Sequence, residues 1–296
     1  MRIVPARNRS HSALGISLAL LLCLASGGCA MVGQHLVLPG QAQATPAGML
    51  PSSPDYELVS FNTQDGTRIG AQFGRALEAD GRMSADFSHR PTVIFFYGMK
   101  HTAASGGTQG LFLKLRHLGV NVLIPDFPGY GMSEGRPSEN GFYATAEASF
   151  DYLHARADLD PDRIVAMGWS LGTAPAIHLA SRRSVAALMT IGAFTNVTDM
   201  SRQLYPNTPD WLLSSFFSAT RFDNLAKISA VTCPILIIHG RQDRLVPPSM
   251  ADRLAEAAKA PVTQQWIAGA GHDNLWQVGG ATLEAAVSAW LRSLGH

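Results

Sequence analysis

The sequence predicts a three-layer α/β domain built on an eight-stranded, mostly parallel sheet. Three observations carry that expectation. From Tyr56 onward β-rich apolar runs alternate with helical patterns, as in chains that wind strands and helices in turn. Several runs, such as Val93-Ile94-Phe95-Phe96 and Ile235-Leu236-Ile237-Ile238, show no polar alternation. Strands buried on both faces look like that, and parallel sheets are buried on both faces. One hairpin signal, Asp65-Gly66, lies between the first two runs and makes the start of the sheet antiparallel.

The strands expected in order are Tyr56–Phe61, Thr67–Phe73, Thr92–Tyr97, Val120–Pro125, Arg163–Gly168, Ala186–Ile191, Pro234–His239 and Val262–Ile267. Among the intervening helices, Phe142, Ala146, Phe150 and Leu153 recur at helical spacing. So do Leu283, Ala286, Val287, Trp290, Leu291 and Leu294 at the C-terminal end. No internal repeat interrupts the pattern, so residues 56–296 read as one domain, with a short lid at about 195–231 between the sixth and seventh strands.

Composition narrows the function. The chain has 296 residues, 46% of them hydrophobic, which is enough for a sizeable core. Lys plus Arg number 23 against 22 Asp plus Glu, so there is no basic footprint for nucleic acid. Three cysteines cannot build a disulfide scaffold or a four-thiolate zinc site. No His/Cys/Asp cluster has metal spacing. Ser105-Gly106-Gly107-Thr108 lacks the Gly-Lys-Ser/Thr that a phosphate loop requires, so neither a metal nor a cofactor is expected.

The first residues read as a targeting segment. Arg2, Arg7 and Arg9 precede an apolar run from Ala13 to Ala25, which is shorter than the ~20 residues that span a bilayer. Small residues Ser26-Gly27-Gly28 then stand before Cys29, an arrangement that resembles the lipobox of bacterial lipoproteins, with Ser26 where a leucine is usual. The resemblance implies a signal peptide over 1–28 and acylation of Cys29, with the outer membrane suggested by Ala30. A conventional cut after Ala30 is the alternative. The leader holds three basic and no acidic residues, so the chain beyond it is net −2. Residues 29–55, rich in Gln, Ala, Pro and Gly, read as a flexible tether.

Reactive residues fall just past strands, where ligands bind in parallel sheets. Gly168-Trp169-Ser170-Leu171-Gly172 is a G-x-S-x-G turn between a strand and a helix over Leu171–Ala180, which projects the Ser170 hydroxyl into a cleft. A serine hydroxyl needs a base, and the base needs an orienting acid. His272, in Gly269-Ala270-Gly271-His272-Asp273, follows the eighth strand, and Asp243 follows the seventh. Asp243 is preferred to Asp273, which is adjacent to His272 and points the wrong way if His272 faces the cleft.

These residues, with Asp126-Phe127-Pro128-Gly129-Tyr130-Gly131-Met132-Ser133-Glu134-Gly135 and Cys233-Pro234-Ile235-Leu236-Ile237-Ile238-His239-Gly240, resemble the serine hydrolases of the α/β-hydrolase fold. The similarity is greatest to the small-lid, α/β-hydrolase domain-containing lipid hydrolases. It implies an oxyanion hole made by the Met99 and Leu171 amides. Two positions depart from the family: Tyr97 stands where a histidine is usual, and Thr173 where a second glycine is common. Lys100 and His101 read as a solvated loop tip.

In the lid, Trp211, Phe216 and Phe217 stand among Asn, Thr and Ser, and they read either as an apolar acyl pocket, with Tyr97, or as the buried face of a lid helix. The expected activity is hydrolysis of lipid-like or small acyl esters, with the membrane met through a lipidated N-terminus. A peptidase or acyltransferase would use the same three residues, and a lipid-binding lipoprotein would keep the fold without the chemistry.

Overall fold

The computed structural model describes residues 29–40 and 50–294, so the leader expected over 1–28 lies outside the described residues. Eight strands form one sheet in the order β1-β2-β4-β3-β5-β6-β7-β8. β1 (Glu57–Asn62) and β2 (Arg68–Gly74) form the antiparallel hairpin, closed by Thr63 N–H donating to Thr67 O at 3.0 Å with Gly66 at φ 84°. β2 is also antiparallel to β4 (Asn121–Pro125). β3 (Thr92–Phe96), β5 (Ile164–Trp169), β6 (Ala187–Ile191), β7 (Ile235–Gly240) and β8 (Val262–Ile267) complete a parallel run with β4.

The burial follows from the runs. Every residue of β3, β4, β6 and β7 is buried, whereas the edge strand β1 alternates half-buried and exposed positions. Helices cover both faces. α2 (Gly106–His117) lies on β4, α9 (Leu275–Ser293) lies on β7 and β8, and Lys114 of α2 pairs with Glu284 of α9 at 2.6 Å. α3 (Glu139–His154), α4 (Thr173–Arg182) and α8 (Pro248–Ala257) pack on the other side, with α7 (Asn224–Ile228) wedged against α4 and α8. Between β6 and α7 the lid carries α5 (Val197–Leu204) and α6 (Asp210–Phe216).

One segment departs from the sequence expectation. Residues 29–55 read as a tether, of which 41–49 lie outside the described residues, yet α1 (Cys29–Val37) is a helix docked on α6. Gly33 lies so close to α6 that a Cβ there would sit 2.1 Å from the Phe216 carbonyl oxygen. Gln34 Nε2 donates to Pro137 O at 2.7 Å, and Leu38 is buried. A nine-residue helix is marginal alone, and these tertiary contacts supply what its composition does not advertise.

α3 is one of the two helices whose spacing is legible in the sequence, and its inner face is aromatic. The ring of Phe142, 1% exposed, stacks on Phe127 with centroids 3.7 Å apart. Phe142→Ala is expected to cost about 3–5 kcal/mol of stability, read from the midpoint of urea unfolding at unchanged slope.

Candidate active site

The site begins with a sharp turn at the end of β5. Ser170 has φ 52°, and a short 3₁₀ turn, Ser170–Gly172, leads into α4. Two glycines make the turn possible. A Cβ on Gly168 would lie 2.2 Å from Gly172 O, and one on Gly172 would lie 2.0 Å from Phe96 O. Positive φ at a serine costs on the order of 1–3 kcal/mol and persists only where the surroundings enforce it. Thr173 contributes here: its buried hydroxyl donates to Ser170 O at 2.6 Å, a bond that a glycine could not make.

The turn aims Ser170 Oγ at His272, whose Nε2 lies 2.8 Å away. On the other side of the ring, Nδ1 lies 2.7 Å from Asp243 Oδ2. A carboxylate only accepts, so Nδ1 carries the proton and Nε2 is left to accept from the serine hydroxyl. Asp243 is itself fixed: its Oδ1 accepts from the amides of Leu245 (2.9 Å) and Val246 (2.8 Å). Burial pushes this carboxyl up, but the hydrogen bond and charge of His272 and the Val246 amide outweigh it and hold the group below the ordinary carboxylate range. Gly192, at φ 60°, leaves room for the imidazole, since a Cβ there would sit 3.0 Å from His272 Cε1.

His239, at the end of β7, supports the acid. Its Nε2 donates to Val246 O at 2.9 Å and lies 3.4 Å from Asp243 Oδ2, and burial lowers its pKa. The sequence reading placed His239 in a strand without a role. Its one signal was a polar residue closing the apolar run Ile235–Ile238. Burial raises the thiol of half-buried Cys233 to about 11, which keeps it from the reactive thiolate form.

The loop after β3 faces the serine. A Cβ on Gly98 would stand 3.4 Å from Ser170 Cβ, and Met99 and Leu171 border the same cavity as Ser170. Leu171 lies in the first turn of a helix, where amides have no intrahelical acceptor and are free to donate outward. His101 is not the solvated tip expected. It is half-buried, with its ring edge-on to Trp169 at 5.9 Å, and burial lowers its pKa, whereas Lys100 is exposed at φ 65°.

Tyr97 lies beneath this loop and not in the pocket. It is 1% exposed, its ring edge meets Phe127 at 5.1 Å, and its hydroxyl donates to Asp126 Oδ1 at 2.9 Å. Asp126 also accepts from the amides of Ala103 (2.7 Å) and Met132 (2.9 Å), so one buried carboxylate ties the loops after β3 and β4 together. Burial raises the Asp126 pKa against the pull of those bonds, and burial with the Asp126 charge raises the Tyr97 phenol.

Above Ser170 is an apolar cavity of about 260 Å³. The lid contributes Phe194, Val197, Met200, Leu204 and Phe217; the Asp243 loop contributes Leu245 and Val246; α1 contributes Leu36 and Val37. Of the pocket residues expected from the lid, Phe217 lines the cavity and the other two do not. Leu213, Phe217 and Thr220 form the buried stripe, which turns Trp211 outward at 66% exposure and Phe216 toward α1. The sequence reading missed α5, although Val197, Met200, Ser201 and Leu204 recur at helical spacing, and it missed α1. Among the described residues no group of three or more His, Cys, Asp or Glu side chains converges as a metal site.

Comparison with known proteins agrees with this fold. Residues 91–220 match a family model described as the alpha/beta hydrolase fold. An uncharacterised protein of Mycobacterium tuberculosis is 32% identical over 250 residues, covering 83% of this chain and 84% of that one. Alpha/beta hydrolase domain-containing protein 17B of Xenopus laevis is 30% identical over 220 residues, covering 74% of this chain and 70% of the relative. The chain belongs to the alpha/beta hydrolase family. Among solved structures, an esterase of Pyrococcus furiosus superposes with TM-score 0.67 at 20% identity, covering 85% of this chain and 97% of the esterase. An acetyl xylan esterase from a Paenibacillus species gives TM-score 0.63 at 16% identity, covering 83% and 87%. At those identities the likeness concerns the α/β-hydrolase fold alone.

Tyr97→Phe leaves Asp126 one donor short in a buried setting. The expected loss of stability is about 1–3 kcal/mol by urea unfolding, and an unchanged midpoint would mean that the phenol does not hold the loop.

Proposed function

We propose that the protein is a serine hydrolase that cleaves carboxylic esters with apolar acyl groups through an acyl-serine intermediate. The observation that carries this is the unbroken relay from Asp243 through His272 to Ser170, opening into an apolar cavity. In this reading His272 Nε2 takes the Ser170 proton as Oγ attacks the ester carbonyl. The Met99 and Leu171 amides receive the developing oxyanion, and Asp243 steadies the imidazolium. The alcohol leaves with the proton from His272. A water activated by the same nitrogen then releases the acid.

The cavity supports the substrate class. Its volume, about 260 Å³, is below that of sites enclosing a whole drug-sized ligand, so it suits one acyl chain with the leaving group outside. A peptidase or an acyltransferase would use the same relay. The walls favour an ester over a peptide, since beyond Ser170 they offer only the side-chain hydroxyls of Ser201 and Tyr205 to a substrate backbone. Against a purely lipid-binding role stands the hydrogen-bonded serine itself, which acyl binding does not need.

A fluorophosphonate probe applied to the folded chain should label wild type and neither Ser170→Ala nor His272→Ala. Ser170→Ala should lower kcat on a short-chain ester by at least about 10⁴-fold. A well-folded wild type that takes no label would sink the esterase reading, and a wild type that turns over no ester yet binds acyl ligands as tightly as Ser170→Ala would favour the binding lipoprotein.

The same reading takes the leader as an export signal and Cys29 as the site of lipid attachment. The expected result is that wild type sediments with membranes and Cys29→Ser is partly released. Both fractionating alike as soluble proteins would remove the anchor.

A further inference from the structure

Large hydrophobic side chains are exposed unevenly over this molecule. Among the described residues, Leu36, Met99, Leu204, Tyr205 and Leu245 are both exposed and at the rim of the cavity above Ser170. Met31 and Val32 extend the patch along α1 at 76% and 43% exposure, and Trp211 extends it on α6, the helix against which α1 packs. α1 therefore has two apolar sides. Gly33, Val37 and Leu38 face the protein, while Met31, Val32 and Leu36 face outward with His35. A soluble chain gains nothing by holding such a patch in water, and contiguous exposed apolar surface marks a docking site.

Three observations say what covers it. The chain enters α1 at Cys29, separated by three residues from the apolar run Ala13–Ala25, so this face is the part of the folded domain nearest in sequence to the proposed lipid attachment at Cys29. Leu36, at the cavity rim, lies about 10 Å along the helix from Cys29. Two exposed cations beside the patch, against the exposed acid Asp273 near His101, suit an anionic bilayer. Lys100 and Arg244 are exposed next to Met99 and Leu245, and neither has an ion-pair partner among the described residues. The acid nearest in sequence to Trp211, Asp210, is engaged by Arg202 at 2.7 Å. An outward tryptophan on an apolar patch that also carries exposed cations is the composition that settles at a lipid headgroup boundary.

We propose that the outward face of α1 with Trp211 and the cavity rim docks on an anionic lipid bilayer, so that the cavity opens against the membrane. Substrate then enters from the lipid phase, acyl chain first, a route that rests on the esterase reading, whereas the docking does not. The orientation places Ser170 where an ester at the headgroup level reaches it without the acyl chain crossing water.

The test uses the full chain carrying Ser170→Ala with vesicles of phosphatidylethanolamine and phosphatidylglycerol brominated on their acyl chains. The leader contains no tryptophan, so quenching of the five tryptophans reports on the domain and not on leader insertion. Quenching that is largely lost in Trp211→Phe and reduced in Met31→Glu is the expected result. Vesicle binding without quenching, or quenching indifferent to Trp211→Phe, would overturn the docking, as would Trp211-dependent dimers in sedimentation without quenching.

A second arm uses Met31→Glu with Ser170 intact. Turnover of a long-chain ester held in the vesicles should fall several-fold while a soluble short-chain ester is unaffected, and equal loss on both would overturn the entry route. Wild type inactive on both esters would instead remove the esterase reading, and the quenching result alone would then decide the docking.

Discussion

The geometry of the site depends on one close approach of backbones. At the end of β5 the chain must turn within three residues from a strand buried in the sheet to a helix packed on it, with β3 alongside. Gly168 and Gly172 leave no gap for a side chain, and the residue between them that carries the hydroxyl is driven to positive φ. The strain is local, but the means of holding it are spread over the sheet: the β3–β5 pairing through Phe96 and Gly168, the bond from Thr173 to Ser170 O, and the buried inner face of α4. Loosening any of them lets Ser170 relax away from His272.

Two buried carboxylates complete the arrangement, and their surroundings set them apart. Asp243 faces an imidazole that becomes positive when it takes a proton, and its pKa is lowered. Asp126 has only neutral donors, the Tyr97 phenol and two amides, and its pKa is raised by burial. The first is placed to answer positive charge on His272. The second works as a structural knot, and the same loops that it joins carry the Met99 amide. A tyrosine serves there because its hydroxyl reaches Asp126 and also accepts from Phe127 N–H at 3.2 Å.

The sheet was legible because burial on both faces writes continuous apolar runs, and each expected strand coincides with an observed one to within a residue at its ends. Ser170, Asp243 and His272 were legible for a related reason, since strand ends and glycine turns locate them without any knowledge of the lid. What was hidden depended on tertiary packing. Composition put aromatic residues in the lid, but a helix of seven residues does not announce which side is inward, so Trp211 and Phe216 were indistinguishable from Phe217. α1 has a glycine and a glutamine where it touches the body, and nothing in its own sequence says that Phe216 and Pro137 are waiting for them. The supporting role of His239 was hidden because a histidine at a strand end has no distinguishing spacing.

The wall that α1 gives the cavity separates two kinds of inheritance in the chain. Changes in the sheet or the loops after it alter the relay, because every residue there has several neighbours to satisfy. Leu36 and Val37 hang from a short helix fastened through Gly33, Gln34 and Leu38, so their bulk can vary while the sheet stays as it is. The shape of the cavity can therefore drift at the N-terminus independently of the hydrogen bonds that join Asp243, His272 and Ser170. Two relatives with identical residues around Ser170 need not enclose the same cavity if their chains enter the fold differently.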